Sequence, residues 1–179
     1  MQDTKLIKFF DKIDELGKKA NSEWHYRPWL DLYIKDETEL EFPMIIYSTS
    51  GRQPLEDQGR KPMRSRLKKE EKGFKETLSQ PFQSLVQFRA VGRNYNKINN
   101  YRVWFEKFLT RHFKPLMENG IEKIFFQEQS SDEKLEIQNQ TYLAQPLIYQ
   151  IHFTYDFEDK QSEIGEIENK VVNIDDYRN

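Results

Sequence analysis

Residues 82–116 read FQSLVQFRAVGRNYNKINNYRVWFEKFLTRHFKPL, and along them the apolar residues change from alternate positions to helical spacing. In the first part Phe82, Val86 and Phe88 share one side with Ser84 and Ala90. Gln83, Gln87 and Arg89 fall on the other side, so a half-buried strand is expected. Gly92 turns the chain. Beyond it Ile98, Tyr101, Trp104, Phe105, Phe108, Leu109, Phe113 and Leu116 form the strongest helical stripe in the sequence. One long helix is predicted, its last turn kinked or loosened by Pro115 and its end marked by Asn119-Gly120.

Working outward, Leu6, Phe9, Phe10, Ile13 and Leu16 recur at helical spacing after the capping residues Asp3 and Thr4, and Gly17 is expected to end that helix. The aromatic cluster WHYRPW (24–29) precedes Leu30, Leu32 and Ile34, whose alternation predicts a short strand. Phe42–Tyr47 reads as a second strand, closed by the turn signal Ser48–Gly51. After the long helix, Ile121–Phe126 is expected as a strand and SSDEK as a turn. In Tyr142–Phe157, Leu143, Leu147, Tyr149, Ile151, Phe153, Tyr155 and Phe157 alternate with Gln150, His152, Thr154 and Asp156. Burying one face of such strands against the helices gives an α+β domain, a small mixed or antiparallel sheet packed on two helices. A single domain 1–179 is expected.

Two stretches depart from this order. Residues 52–80 have few apolar positions, two prolines and two glycines, and are expected as a long inserted loop or arm. It is basic, with Arg60, Lys61, Arg64, Arg66, Lys68, Lys69, Lys72 and Lys75 against Glu70 and Glu71. The tail 158–179 is acidic, although Ile164, Ile167, Val171, Val172 and Ile174 equip it to form an edge strand or to dock on a neighbour.

The composition removes several classes of chemistry. No cysteine is present, which excludes disulfides, thiol nucleophiles and cysteine-ligated metals and suits a reducing cytoplasm. The seven glycines are scattered, so no phosphate-cradling loop is formed. His25, His112 and His152 stand apart from one another, and no serine lies in a nucleophile elbow. Asp31, Asp36, Glu37, Glu39 and Glu41 read as a solvated surface rather than an acid/base pair. No catalytic residue, cofactor or metal is expected. Charge enters every turn of the N-terminal helix, and no window approaches about 18 uninterrupted apolar residues, so no signal peptide and no membrane span are expected. With 28 basic and 30 acidic residues the formal charge is -2, and 14% of residues are aromatic, enough to fill a core.

The order helix, strand pair, FQSLVQFRAVG, NYNKINNYRVWFEKFLTRHFKPLMENG, GIEKIFFQEQ, SSDEK and YLAQPLIYQIHFTYDF resembles the tail terminator (tail completion or neck) proteins of tailed bacteriophages. Residues 82–157 carry the likeness: an Arg-bearing strand leading into a helix, a Gly-Ile restart after it, and a Ser-Asp turn before a final aromatic strand. The resemblance implies a structural virion protein, assembled in the host cytoplasm into a homo-oligomeric, hexameric ring. That ring caps the tail tube, joins it to the head-completion or connector protein, and lets DNA pass. The basic arm 52–80 is the least transferable part. Its eight cations are candidates to meet DNA phosphates in the lumen or to lie on the tube and order on assembly. The second placement is preferred for part of the arm, since a strongly adhesive lumen would hinder ejection, and the alternative for Arg60–Lys75 is a solvated flexible loop. Trp24, Tyr26 and Trp29 are candidates for a subunit interface, because Trp and Tyr are favoured there. The alternatives are a head-tail adaptor or stopper, and a DNA-binding module acting through the arm.

Overall fold

The computed structural model describes residues 4–31, 41–55, 64–70, 73–118, 120–137 and 139–159, with the backbone alone described for 64–78 and 156–159. Helix α1 (Thr4–Ala20) buries Leu6, Phe9, Phe10 and Ile13, as its spacing requires. It does not end at Gly17. That glycine lies buried inside the helix, and a Cβ built on it would stand 2.2 Å from Cε2 of Trp24. The residue is small so that an indole can lie against the helix backbone. Trp24 Nε1 donates to Asp14 Oδ1 at 2.9 Å, which satisfies the one polar atom of the ring.

Strand β1 (Tyr26–Pro28) lies earlier than the strand expected around Leu30–Ile34. It runs parallel to β2 (Met44–Thr49), pairing Tyr26 with Ile45 and Pro28 with Tyr47. The bracketing backbone bonds, Ile45 N–H to the His25 carbonyl and Trp29 N–H to the Tyr47 carbonyl, are both 2.8 Å and ask nothing of the proline nitrogen. Leu30 is 61% exposed, and Leu32 and Ile34 lie outside the described residues.

The segment 52–80 is not one long loop. It contains β3 (Gln53–Pro54), β4 (Arg64–Glu70) and the start of β5 (Gly73–Gly92). β4 and β5 pair antiparallel from Arg64 with Ser79 to Glu70 with Gly73. An antiparallel ladder satisfies backbone donors and acceptors without needing an apolar face, so a polar composition does not forbid it. The chain divides into two compact units, Met1–Pro62 with Gln80–Tyr155 and Met63–Ser79 with Asp156–Asn179. In the second unit the described residues are this hairpin and the end of β8 (Gln140–Asp159).

In the first unit the remaining strands form one mixed sheet in the order β1-β2-β5-β8-β6, where β6 is Ile121–Gln129. β3 pairs with β5, and β7 (Glu133–Ile137) with β8. β7 starts inside the expected SSDEK turn, which is confined to Ser130–Asp132. The expected helix is two helices, α2 (Tyr95–Arg111) and α3 (Phe113–Met117), interrupted at His112. A proline at 115 has no N–H to offer the carbonyl of Arg111, four residues back, and its ring crowds that group. The break therefore falls three residues before the proline. Asn94 caps α2 through its side chain, which accepts from Lys97 N at 3.1 Å.

The main core joins α1 and α2 to one sheet face. Phe9, Phe10, Ile13, Ile98, Phe105 and Phe108 meet Phe88, Leu147, Tyr149, Ile151 and Phe153, so the predicted alternation of β5 and β8 holds. The other sheet face is not left wholly polar. Met44, Ile46, Val91, Ile137, Tyr142 and Ala144 form a second cluster with Trp29, Phe42 and Leu135 around them. Arg89 fixes this side, donating to Glu133 and Ser48 at 3.2 Å and to Gln87 at 2.6 Å, with its guanidinium 4.9 Å from the Trp29 ring.

Gly17→Ala should destabilise the fold. The added methyl has no room beside an indole that is itself packed on four aromatic rings, which costs about 1–3 kcal/mol and outweighs the roughly 1 kcal/mol gained in helix propensity. Denaturant unfolding of the variant measures the difference, and a gain in stability would contradict the packing of Trp24 on Gly17.

Candidate interaction surfaces

β6 is the last strand of its sheet and, among the described residues, pairs only with β8. Its register slips between Ile121 and Lys123 and again between Phe126 and Glu128. Such bulges bend an edge strand and hinder an uninterrupted added strand. Beside this edge runs an apolar groove of about 450 Å³ between β6, the sheet and the end of α2, lined by Phe9, Phe88, Leu109, Phe113, Phe126 and Tyr149 among others. Two of these side chains face out of the core, Phe113 at 39% and Phe126 at 53% exposure.

Both exposures have local causes. Phe113 was expected on the buried stripe, but the interruption at His112 starts a new helix there and turns its ring out of register with Phe105 and Phe108. Phe125 and Phe126 are adjacent in a strand, so they must point to opposite faces. Phe126 turns to the helix side, edge-on to Tyr149 at 5.4 Å, while Phe125 lies against His152 at 5.1 Å on the other side. At the groove wall Glu106 is paired with Arg102 at 2.7 Å, and Arg102 also donates to Gln145 and Asn99. Burial pushes the Tyr149 phenol up to about 12, with Glu106 adding to the effect, so it stays neutral at the floor. An apolar floor with a compensated ion pair at its wall suits a hydrophobic side chain rather than a reaction.

A second cleft, about 720 Å³, lies between α2 and the segments that lead into β1 and β2, and is lined by Glu23, His25, Glu41, Lys97, Tyr101 and Trp104 among others. His25 Nε2 stands 2.9 Å from Glu41 Oε2. Among the described residues no group of three or more His, Asp or Glu side chains is placed to hold a metal ion.

Of the three aromatic candidates, Trp24 and Tyr26 stack on each other and Trp29 stands apart. Trp24 is 7% exposed, and its ring packs on Tyr26, Trp104, Phe105 and Phe108 within the chain. Tyr26 is half-buried between Trp24 and Tyr47, with its hydroxyl buried and unpartnered. Trp29 belongs to the cluster on the opposite sheet face. Of the basic candidates, Arg64, Arg66, Lys68 and Lys69 lie on β4 and Lys75 on β5, where Lys75 is the register partner of Lys68. Arg60, Lys61 and Lys72 lie outside the described residues. The groove residues were not singled out by sequence. A signal was present in the Phe125-Phe126 doublet, since a strand cannot turn both rings into one core.

The solvent face of the sheet carries a row of amides, Gln127 donating to Gln150 at 2.8 Å and Gln150 to Gln83. Next to this row, burial and then Lys123 hold the His152 imidazole below its usual value, against an opposing effect of Glu122. The sign follows directly. A base whose folded value is lowered adds stability that is complete above its unfolded value, about 6.5, and is lost as pH falls from there through the folded value. Unfolding measured between pH 7 and pH 5 should therefore show stability falling with acid. His152→Gln should flatten part of that slope, and an unchanged slope would remove His152 as a contributor. No protein-family model matches the chain, and no curated protein matches it.

Proposed function

We propose that this chain is a structural subunit of a phage tail, a terminator that assembles with copies of itself into a ring, sixfold as in the family it resembles, ends growth of the tail tube and joins the tail to the head connector. It works by shape and packing, and no reaction is assigned to it. The observation that carries the reading is the apolar groove beside the open β6 edge. A subunit whose working surface is covered only on assembly exposes that kind of surface when alone, with aromatic rings at its centre and charge around it. The element order across residues 82–157 supports the same reading through the family resemblance. The partners are then a second copy, the tail tube and the connector, with DNA passing through the ring.

A specific observation favours a second reading. Arg64, Arg66, Lys68, Lys69 and Lys75 lie on a two-stranded antiparallel ribbon, and such ribbons can enter the major groove of DNA. A DNA-binding module predicts a stable monomer whose retention on DNA falls steeply with salt, because released counterions drive the binding. The terminator reading predicts a closed ring, alone or on tail tubes, by mass measurement and electron microscopy. During phage growth without the protein it predicts overlong or head-free tails, whereas loss of a head-tail adaptor leaves tail length normal.

The hairpin can be tested separately. Leu55 N–H donates to the Pro81 carbonyl at 3.0 Å, so residues 56–80 can be replaced by a short glycine-rich turn that rejoins β3 to β5. No residue of either core cluster is removed. The thermal midpoint should move by no more than a few degrees, as expected for loss of a surface element, while assembly on tail tubes should fail. Unfolding of the excised chain would show that the segment belongs to the fold rather than to an arm.

A further inference from the structure

The groove is apolar, with Glu106 the charged residue in its lining, but the helices that border it are basic in sequence. From Arg102 to Lys114 the chain carries Arg102, Lys107, Arg111 and Lys114 against Glu106 alone, and Glu106 is already paired with Arg102. Lys107, Arg111 and Lys114 are exposed. A partner that fits must present aliphatic side chains flanked by carboxylates. The chain itself contains one such stretch, beyond the described residues. Between Glu163 and Asp176 stand Ile164, Ile167, Val171, Val172 and Ile174, together with five carboxylates and only Lys170 as a cation. Ile164–Ile174, if extended, covers at most about 40 Å, enough to follow β6, whose nine residues span about 30 Å.

We infer that the groove formed by Phe113, Phe126, Leu109 and Tyr149 receives the C-terminal segment 160–179 of a second copy of this chain. The inference rests on the ring reading above and names the contact that would link neighbouring subunits. Recognition is by side chains: Ile and Val enter the apolar floor, and the flanking carboxylates meet Lys107, Arg111 and Lys114. The bulges of β6 make an uninterrupted added strand a poor alternative. Apolar burial supplies affinity, while the opposite charges set direction and speed of encounter.

The absence of cysteine allows a direct test in the full-length protein. Chains bearing Phe126→Cys and chains bearing Val171→Cys are mixed, oxidised gently and mapped by peptide mass. The expected product is the mixed disulfide between residues 126 and 171, dominating over either homodimer. A doubly substituted chain should then form covalent chains or closed rings rather than a cross-linked monomer. In parallel, Phe126→Glu should weaken self-association by roughly thirtyfold or more, as loss of an interface centre does, and Phe126→Leu should largely restore it. An intramolecular bond in the double variant would place a chain's own tail in its groove and overturn the proposal. Absence of the mixed disulfide among rings that still form would overturn it while leaving the ring reading intact. A protein that neither self-associates nor joins tail tubes under any condition would remove both.

Discussion

The aromatic layer between α2 and the sheet is the constraint on which the rest depends. Phe88 meets Phe105 edge-on at 5.0 Å and Tyr149 at 5.8 Å, and Phe105 and Phe108 pass the contact on to Trp24, which rests on Gly17 of α1. Buried aromatic rings contribute both area and geometry, so each fixes the angle of the next. Two helices and the central strands are tied together in this way. Once α2 is held by Phe105 and Phe108, the break imposed by Pro115 decides where Phe113 points. It leaves the layer and becomes surface. The groove is thus a consequence of the core, created where the aromatic stripe continues past the end of its helix.

What could be read from the sequence follows from how strongly one pattern dominated each segment. The stripes of α1 and α2 and the alternation of Leu147–Phe153 are long and single-minded, and the residues they assign to the core are buried. β4 and β7 were missed because RSRLKKE and EKLEI have too few apolar positions for periodicity to register, and what stabilises them is hairpin pairing of the backbone with the strand that follows, which leaves no mark on the side-chain pattern. Gly17 was read as a stop because a glycine late in a helix usually is one. Only the indole seven residues later shows that the space above its Cα was needed. The second cluster beneath Trp29 was hidden for a related reason. It draws one to three residues from each of five segments, Trp29, Phe42–Ile46, Val91, Leu135–Ile137 and Tyr142–Ala144, too few in any one to stand out.

The candidate surfaces divide the same way. The charge of the 60–75 segment was legible as composition, but its organisation into a ribbon was not. Trp24 and Tyr26, chosen for residue type, lie among other rings of the same chain, whereas Phe113 and Phe126, which looked like ordinary core residues, are open to solvent. Residue type alone says what a side chain prefers to touch; which ones are left without enough neighbours is decided by breaks and bulges, here at His112 and between Phe126 and Glu128.

A basic wall and an acidic, aliphatic segment on one polypeptide have a geometric consequence. Neither is complementary to itself, so two copies related by a twofold axis gain nothing by placing like surfaces together. Pairing one surface with the other either closes at once, when two copies exchange segments about a twofold axis, or is heterologous, and then each added copy presents a fresh groove and a fresh segment. Association of this kind continues until a rotation closes it into a ring or, failing closure, grows as a filament. The terminator role proposed above requires the closed solution. The amide row of Gln83, Gln127 and Gln150 is neutral and already hydrogen-bonded within the sheet, so on the terminator reading proposed above it would hold DNA phosphates less tightly than a row of cations.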